Sequence, residues 1–146
     1  MPTRLDVLLR TPSIALDATG FPVVYLSISD TPSRDEFASL LGACSALLDR
    51  QKRFSVVIDA RTATPLSFEQ TMDASGWLVR EDGRLRRLCR GAALAVSPDA
   101  SAVAVPMFLR VCPLRARAAF DDVSIALRWA VRALGPPVQS EAPEFS

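Results

Sequence analysis

The sequence has no histidine, and that absence excludes more functions than any motif in the chain indicates. Histidine is the usual general base near neutral pH, the partner of nucleophilic serine and cysteine, and the commonest metal ligand. We therefore expect a protein that is not an enzyme. If it were one, carboxylate or arginine chemistry would remain, and Asp59 and Arg61 are the loop residues that would carry it.

Cysteine is scarce, and the three residues Cys44, Cys89 and Cys112 are far apart in the chain. No C-x-x-C pair is present, and a zinc site lacks the histidine that would complete it. Cysteines of this kind are usually free thiols that pack among apolar residues. The sequence therefore predicts three structural thiols, no metal site and no cofactor.

The chain also lacks an excess of charge of either sign, with 17 basic and 16 acidic residues. A net charge of +1 provides no basic field that would attract nucleic acid, so a nucleic-acid partner is not expected. No apolar run approaches the roughly 20 residues that span a bilayer, and the N-terminus shows no signal-peptide core. We expect a cytoplasmic protein without a membrane span.

What the sequence does contain is enough residues, 146, for one domain with a substantial core. We expect that domain at 13–135, after an N-terminal segment (1–12) with a short strand at 5–9 and before a disordered tail (136–146). Its central stretch is an apolar strand at 54–59, a polar loop at 60–66 and a long helix that begins at Ser67. An apolar run closed by an acid, here Asp59, is typical of a central parallel strand whose carboxyl end lies at the edge where α/β sheets place their sites.

Further strands and helices alternate around this stretch. Capping boxes formed by Ser33 with Glu36 and by Ser67 with Gln70 predict where the first two helices begin. Pro106 is expected to kink or end the third helix. The other predicted strands are at 13–17, 22–28, 91–96 and 115–120, and the other predicted helices are at 33–51, at 100–111 and after Asp121 or Asp122. This alternation predicts an α/β fold with a mainly parallel sheet and about four helices.

The order of elements, with the closing segment FDDVSIALRWA at 120–130, resembles the STAS superfamily, which includes anti-sigma-factor antagonists and SpoIIAA-like proteins. In this resemblance, the strand VVID at 56–59 corresponds to the core strand of the superfamily. It implies a single-domain STAS/SpoIIAA-like sandwich over about 14–134 and a role in protein interaction. SpoIIAA-like domains are also linked to the CRAL-TRIO lipid-exchange fold, which implies that an apolar small molecule could be bound or carried.

Anti-sigma-factor antagonists carry an Asp-Ser-Ser-Gly motif whose first serine, at the start of the second helix, is phosphorylated. The segment MDASG at 72–76 is similar, but Ala74 stands at the phosphoacceptor position, so that only Ser75 remains. Ser67 occupies the predicted helix start, where its alternative role is that of an N-cap. A phosphorylation switch at Ser67 or Ser75 is one hypothesis, and Ser67 is the better acceptor because a phosphate at a helix N-terminus gains from the dipole.

The predicted third helix is apolar nearly all round between 102 and 109, which indicates burial or a partner. The leading hypothesis is a non-enzymatic module that binds a protein partner, with Val105, Met107 and Phe108 at the contact and a homodimer as one form of it. In the alternative arrangement, the segment at 5–9 folds over this helix and covers it. A second function hypothesis places an apolar ligand between this helix and the sheet, where Trp77, Met107 and Phe108 would line the pocket unless Trp77 packs in the core.

Overall fold

The structure is a computed structural model that describes residues 5–135; the predicted tail at 136–146 lies outside the described residues. Within this part of the chain, six strands and five helices follow one another. The strands are β1 (Val7–Arg10), β2 (Ile14–Asp17), β3 (Val23–Asp30), β4 (Phe54–Ala63), β5 (Cys89–Ala95) and β6 (Arg117–Phe120). The helices are α1 (Arg34–Leu48), α2 (Phe68–Arg80), α3 (Asp82–Leu88), α4 (Pro98–Val111) and α5 (Val123–Ala133).

The six strands form one sheet in the order β1-β2-β3-β4-β5-β6, so each strand pairs with its neighbours in sequence. The pairs β1–β2 and β2–β3 are antiparallel, whereas β3, β4, β5 and β6 run parallel to one another. β4 lies inside the parallel part of the sheet, between β3 and β5. The predicted α/β fold with a mainly parallel sheet is thus confirmed, and the N-terminal segment supplies the edge strand β1.

The strand order also decides where the helices lie. Since the parallel strands follow one another in sequence order, crossovers of the usual right hand place α1, α2, α3 and α4 on one face of the sheet. That face carries the larger apolar core, which includes Phe37, Trp77 and Leu88. α5 follows the last strand and packs on the opposite face, where Ala126 and Ala130 form a second, smaller core with strand residues.

Both predicted capping boxes are formed. The Ser33 hydroxyl accepts a hydrogen bond from the backbone N–H of Glu36 at 3.1 Å, and the Glu36 carboxylate accepts one from the backbone N–H of Ser33 at 2.9 Å. Ser67 and Gln70 make the same two bonds at the start of α2. The long helix predicted from Ser67 is split at Glu81, whose ψ of 8° departs from helical geometry, so the described residues form five helices instead of about four.

β4 is longer than the sequence predicts. The expected loop at 60–66 is wrong for residues 60–63, because β3 also continues and pairs with them, Ser29 opposite Thr62 and Asp30 opposite Ala63. β5 ends opposite Asp59, so this extension of β4 pairs with β3 alone. The end of a strand depends on its partner, and strand propensity does not show that partner.

α4 lies at the β6 side of the molecule, where it packs chiefly against that strand. Pro106 lies inside the helix and does not end it, and none of the residues of α4 is buried. Because β1 and β6 are opposite edges of the sheet, the alternative arrangement in which the segment at 5–9 covers α4 is wrong. No helix within residues 5–135, α4 included, is both long and apolar enough to cross a membrane.

Candidate functional site

An apolar cavity of about 270 Å³ lies between the sheet and the helices of the larger core. Strand side chains that point to this face form its floor, and α1, α2, α3 and the C-terminal end of α4 form its roof. The strand residues are Leu16, Leu26, Ile28, Phe54, Val56, Ile58, Cys89 and Ala92. The helix and loop residues are Phe37, Leu40, Leu41, Cys44, Leu47, Leu48, Ala74, Trp77, Leu78, Leu85, Phe108, Val111, Cys112, Pro113 and Leu114.

Among residues 5–135, no charged side chain lines this cavity. The indole of Trp77, which is 8% exposed, contributes a nitrogen donor, but its Nε1–H already donates to the Ser45 hydroxyl at 2.9 Å. A ligand in the cavity would therefore meet hydrocarbon, aromatic rings and sulfur. Such surroundings favour an uncharged, apolar molecule and disfavour any group that needs a hydrogen-bond partner.

All three cysteines of the chain line this one cavity, although they belong to α1, to β5 and to the segment after α4. They are free thiols. Burial raises the pKa of Cys44 and that of Cys89 to about 12, and it also raises the pKa of Cys112. The thiols therefore stay protonated near neutral pH and behave as small apolar groups, not as nucleophiles. Within residues 5–135, no group of three or more cysteine, aspartate or glutamate side chains is placed to hold a metal ion.

The structure places the predicted binding residues in two groups. Trp77 from α2 and Phe108 from α4 both line the cavity. Met107 does not, because its side chain is 52% exposed on the outer side of α4, and Val105 is half-buried without reaching the cavity. The pocket expected between Trp77, Met107 and Phe108 thus contains two of the three residues.

A second, more open depression of about 430 Å³ lies between α1 and α2, and we call it the α1–α2 groove. Two glycines, Gly42 of α1 and Gly76 of α2, are part of its lining. Its lining is Ala38, Leu41, Gly42, Ser45, Met72, Asp73, Gly76, Trp77 and Arg80. Leu41 and Trp77 line the cavity as well, so these two side chains form a wall between the groove and the cavity.

Asp59 lies in β4 opposite the end of β5, and its carboxylate is fully paired. Arg61 donates from Nε to Oδ1 at 2.9 Å and from Nη2 to Oδ2 at 3.0 Å, and the Tyr25 hydroxyl also donates to Oδ2. Burial by itself raises the pKa of Asp59, but the bonds from Arg61 and Tyr25 outweigh it and hold that pKa below its ordinary value. Burial and the bond to Asp59 raise the pKa of Tyr25 to about 12. At the predicted edge site, the Asp59 carboxylate is therefore paired with Arg61, and these two residues line neither the cavity nor the groove.

The chain was compared with known proteins by sequence and by structure. No protein-family model matches the chain, and no curated protein matches its sequence. Among solved structures, an uncharacterised protein of the DUF3478 family from Shewanella loihica PV-4, described as having a SpoIIAA-like fold, superposes with a TM-score of 0.58 over 87% of this chain and 92% of that one. This chain has a SpoIIAA-like fold. The two sequences are 11% identical, so the likeness shows the fold alone, and it confirms the fold that the sequence resemblance implies.

In this SpoIIAA-like fold, the two serines predicted as phosphoacceptors have different surroundings. Ser67 is exposed at the start of α2, where its hydroxyl accepts the N–H of Gln70 at 3.1 Å as an N-cap. Ser75 is half-buried inside α2 and lines neither the cavity nor the groove. A kinase would therefore reach Ser67 more readily, and phosphorylation of either serine stays a prediction.

Proposed function

We propose that this SpoIIAA-like chain is a non-enzymatic module that binds an apolar small molecule in the apolar cavity between the sheet and the helices of the larger core. The observation that carries this proposal is the cavity itself, about 270 Å³ of space that no charged side chain of the described residues 5–135 lines. Protein interiors hold few voids larger than a water molecule. A dry apolar cavity of roughly 150 Å³ is enough to bind benzene, so this cavity has room for a larger molecule.

The side chains around the cavity lack packing partners on the side that faces it, so they make fewer contacts than side chains in a filled core. A ligand that restores these contacts binds the folded state alone, and its binding free energy therefore adds to the stability of the fold.

α4 is one element whose movement would open the cavity. It covers part of the cavity with Phe108 and Val111, yet none of its residues is buried. Elements with few buried contacts open locally at a low free-energy cost. Movement of α4 would uncover the cavity while the sheet and the core beneath α5 keep their packing.

The absence of catalysis is part of the proposal, and the surroundings of the reactive groups support it. The thiols of the cavity stay protonated because burial raises the pKa of each. The Asp59 carboxylate is held by Arg61 and Tyr25 away from the cavity. A bound molecule would thus meet no charged or activated group of these sites.

Native mass spectrometry of the protein purified from its host tests the proposal. We expect an additional non-covalent mass that disappears on denaturation. Phe108→Glu places a charge in the cavity and should abolish this mass, whereas Met107→Glu, one residue away on the exposed side of α4, should retain it. A wild-type protein that carries no additional mass, or a mass that survives in Phe108→Glu, would contradict the proposal.

A second candidate function, binding of a protein partner, is favoured by the outer face of α4. Val103 is 67% exposed and Met107 is 52% exposed, so apolar side chains of this helix face the solvent. Exposed apolar surface of this kind marks many interaction sites. Cross-linking of the wild type and of Met107→Glu in parallel tests the candidate: a partner joined to the wild type alone supports it, and equal cross-linking of both contradicts it.

A further inference from the structure

The α1–α2 groove and the apolar cavity are adjacent compartments; the groove has a mixed polar and apolar lining, whereas the cavity has an apolar one. Leu41 and Trp77 line both of them, whereas Arg80 and Asp73 line the groove alone. A molecule that lies in the groove is therefore separated from the cavity by the thickness of a side chain. One compartment suits a charged group and the other suits a hydrocarbon group.

Arg80 lines the groove, and its guanidinium lies beside Gly76, which precedes it by one turn in the same helix. A Cβ added to this glycine would stand 3.4 Å from Nη1 of Arg80, which shows how closely the cation approaches the bare helix backbone. Arg80 is exposed, and within residues 5–135 it forms no ion pair. Its planar guanidinium offers several donors in a geometry that matches carboxylate oxygens.

The two side chains of the wall are held differently. The indole of Trp77 donates to the Ser45 hydroxyl at 2.9 Å, and that hydroxyl donates to the Glu81 carboxylate at 3.3 Å, so Trp77 is tied to both helices. Leu41 is half-buried and has no polar group that could be tied in this way. Rotation of Leu41 is therefore the smallest change that would join the groove to the cavity.

We propose that the ligand is a single-chain amphiphile, with an anionic head group in the α1–α2 groove on Arg80 and an apolar tail in the cavity. This inference rests on the proposed function, because the tail occupies the same cavity. Asp73 lines the groove as well, and its carboxylate repels the head group. Replacing Asp73 by asparagine should therefore strengthen binding, whereas replacing Arg80 by methionine should weaken it.

Binding can be followed through Trp77. The chain has two tryptophans, and Trp129 lies on α5 at the other face of the sheet, so Trp129→Phe leaves Trp77 as the reporter. Dodecanoate, dodecanol and dodecyltrimethylammonium share one tail and differ in the head group. Each is titrated below its micelle concentration while the Trp77 emission is recorded. We expect dodecanoate to bind about fivefold more tightly than dodecanol, which is the gain typical of an exposed charge pair. Dodecyltrimethylammonium should bind most weakly of the three. In Arg80→Met, the preference for dodecanoate should disappear.

Blocking the groove provides the matched control. Gly76→Leu would fill the groove beside Arg80, whereas Gly83→Leu adds the same side chain to α3, where nothing lies within 4 Å of the added Cβ. Leucine favours a helix more than glycine does, so both variants should fold. Gly76→Leu should abolish the preference for dodecanoate, and Gly83→Leu should keep it.

The outcomes separate this inference from the proposed function. If all three compounds bind equally, or if Arg80→Met keeps the preference for dodecanoate, the head group does not lie in the groove and the inference fails while the cavity remains a binding site. If none of the three compounds changes the emission of Trp77, the inference fails as well, and the native mass spectrum of the host-purified protein decides the proposed function by itself.

Discussion

Replacing alanine by leucine at two consecutive positions of β5 should change stability in opposite directions. Ala92 is 4% exposed and Ala93 is 0% exposed, so both side chains are inside the protein. Ala92 lines the apolar cavity, whereas Ala93 belongs to the small core with Ala126 and Ala130 of α5 on the other face. The same added atoms thus meet open space in one variant and packed side chains in the other.

The expected magnitudes follow from the added volume. Leucine adds three carbon atoms to alanine, each worth about 0.8 kcal/mol when buried, and its lost rotamer freedom offsets about 0.5–1 kcal/mol. Ala92→Leu should therefore raise the free energy of unfolding by about 1.5 kcal/mol. Ala93→Leu forces extra atoms into a packed layer and should lower that free energy by about 1–3 kcal/mol.

Urea unfolding followed by far-ultraviolet circular dichroism measures both changes, on protein refolded from denaturant so that no host molecule is retained. The two variants should move the unfolding midpoint to opposite sides of the wild type with similar slopes. If Ala92→Leu destabilises the protein as much as Ala93→Leu does, the space beside Ala92 is already packed. The reasoning that assigns a ligand to the cavity would then be refuted.

Three further predictions test other parts of the structure. At Gly91, an added Cβ would stand 2.8 Å from the Cβ of Ala133 and 3.0 Å from the ring of Trp129, so Gly91→Ala should lower the free energy of unfolding by about 1–3 kcal/mol; an unchanged thermal midpoint would contradict this placement of α5. Asp59 has a lowered pKa, so its stabilising effect is present above the ordinary value of 3.8 and is lost as the pH falls through the folded-state pKa. The stability difference between wild type and Asp59→Asn should therefore shrink below about pH 4, and a constant difference down to the acid limit of folding would refute the ion pair. Met107→Glu should convert a homodimer built on the outer face of α4 into a folded monomer in sedimentation velocity, and a wild type that is monomeric at high micromolar concentration would rule the dimer out.

The fold class and the helix starts could be predicted from the sequence because the interactions behind them are local. Ser33 with Glu36 and Ser67 with Gln70 exchange hydrogen bonds across three residues, so both partners are visible in one short segment. The alternation of apolar strands with capped helices can also be read from the order of residues, and it predicts a mainly parallel sheet. The resemblance to SpoIIAA-like proteins drew on this order of elements.

The ends of strands and the pairing of charges needed the assembled sheet. β4 continues past Asp59 because β3 lies beside it as far as Ala63. The sequence of residues 60–63 does not indicate that β3 will pair with them. Tyr25 and Asp59 are 34 residues apart, and they meet because β3 and β4 are neighbours with Tyr25 opposite Val57. Strand propensity is a property of one segment, whereas strand register depends on two paired segments, so only the assembled sheet shows it.

The cavity depends on packing throughout the domain, and this is why sequence patterns reveal only fragments of it. The three cysteines converge on it from α1, β5 and the end of α4, at spacings that suggest no common site. Met107 and Phe108 differ by about 100° around the helix axis, and a helix that is apolar nearly all round does not indicate which of them faces inward. The position of α4 against its neighbours turns Phe108 towards the cavity and leaves Met107 exposed. A cavity is the volume that the facing side chains together leave unfilled, so its position depends on how the helices pack against the sheet.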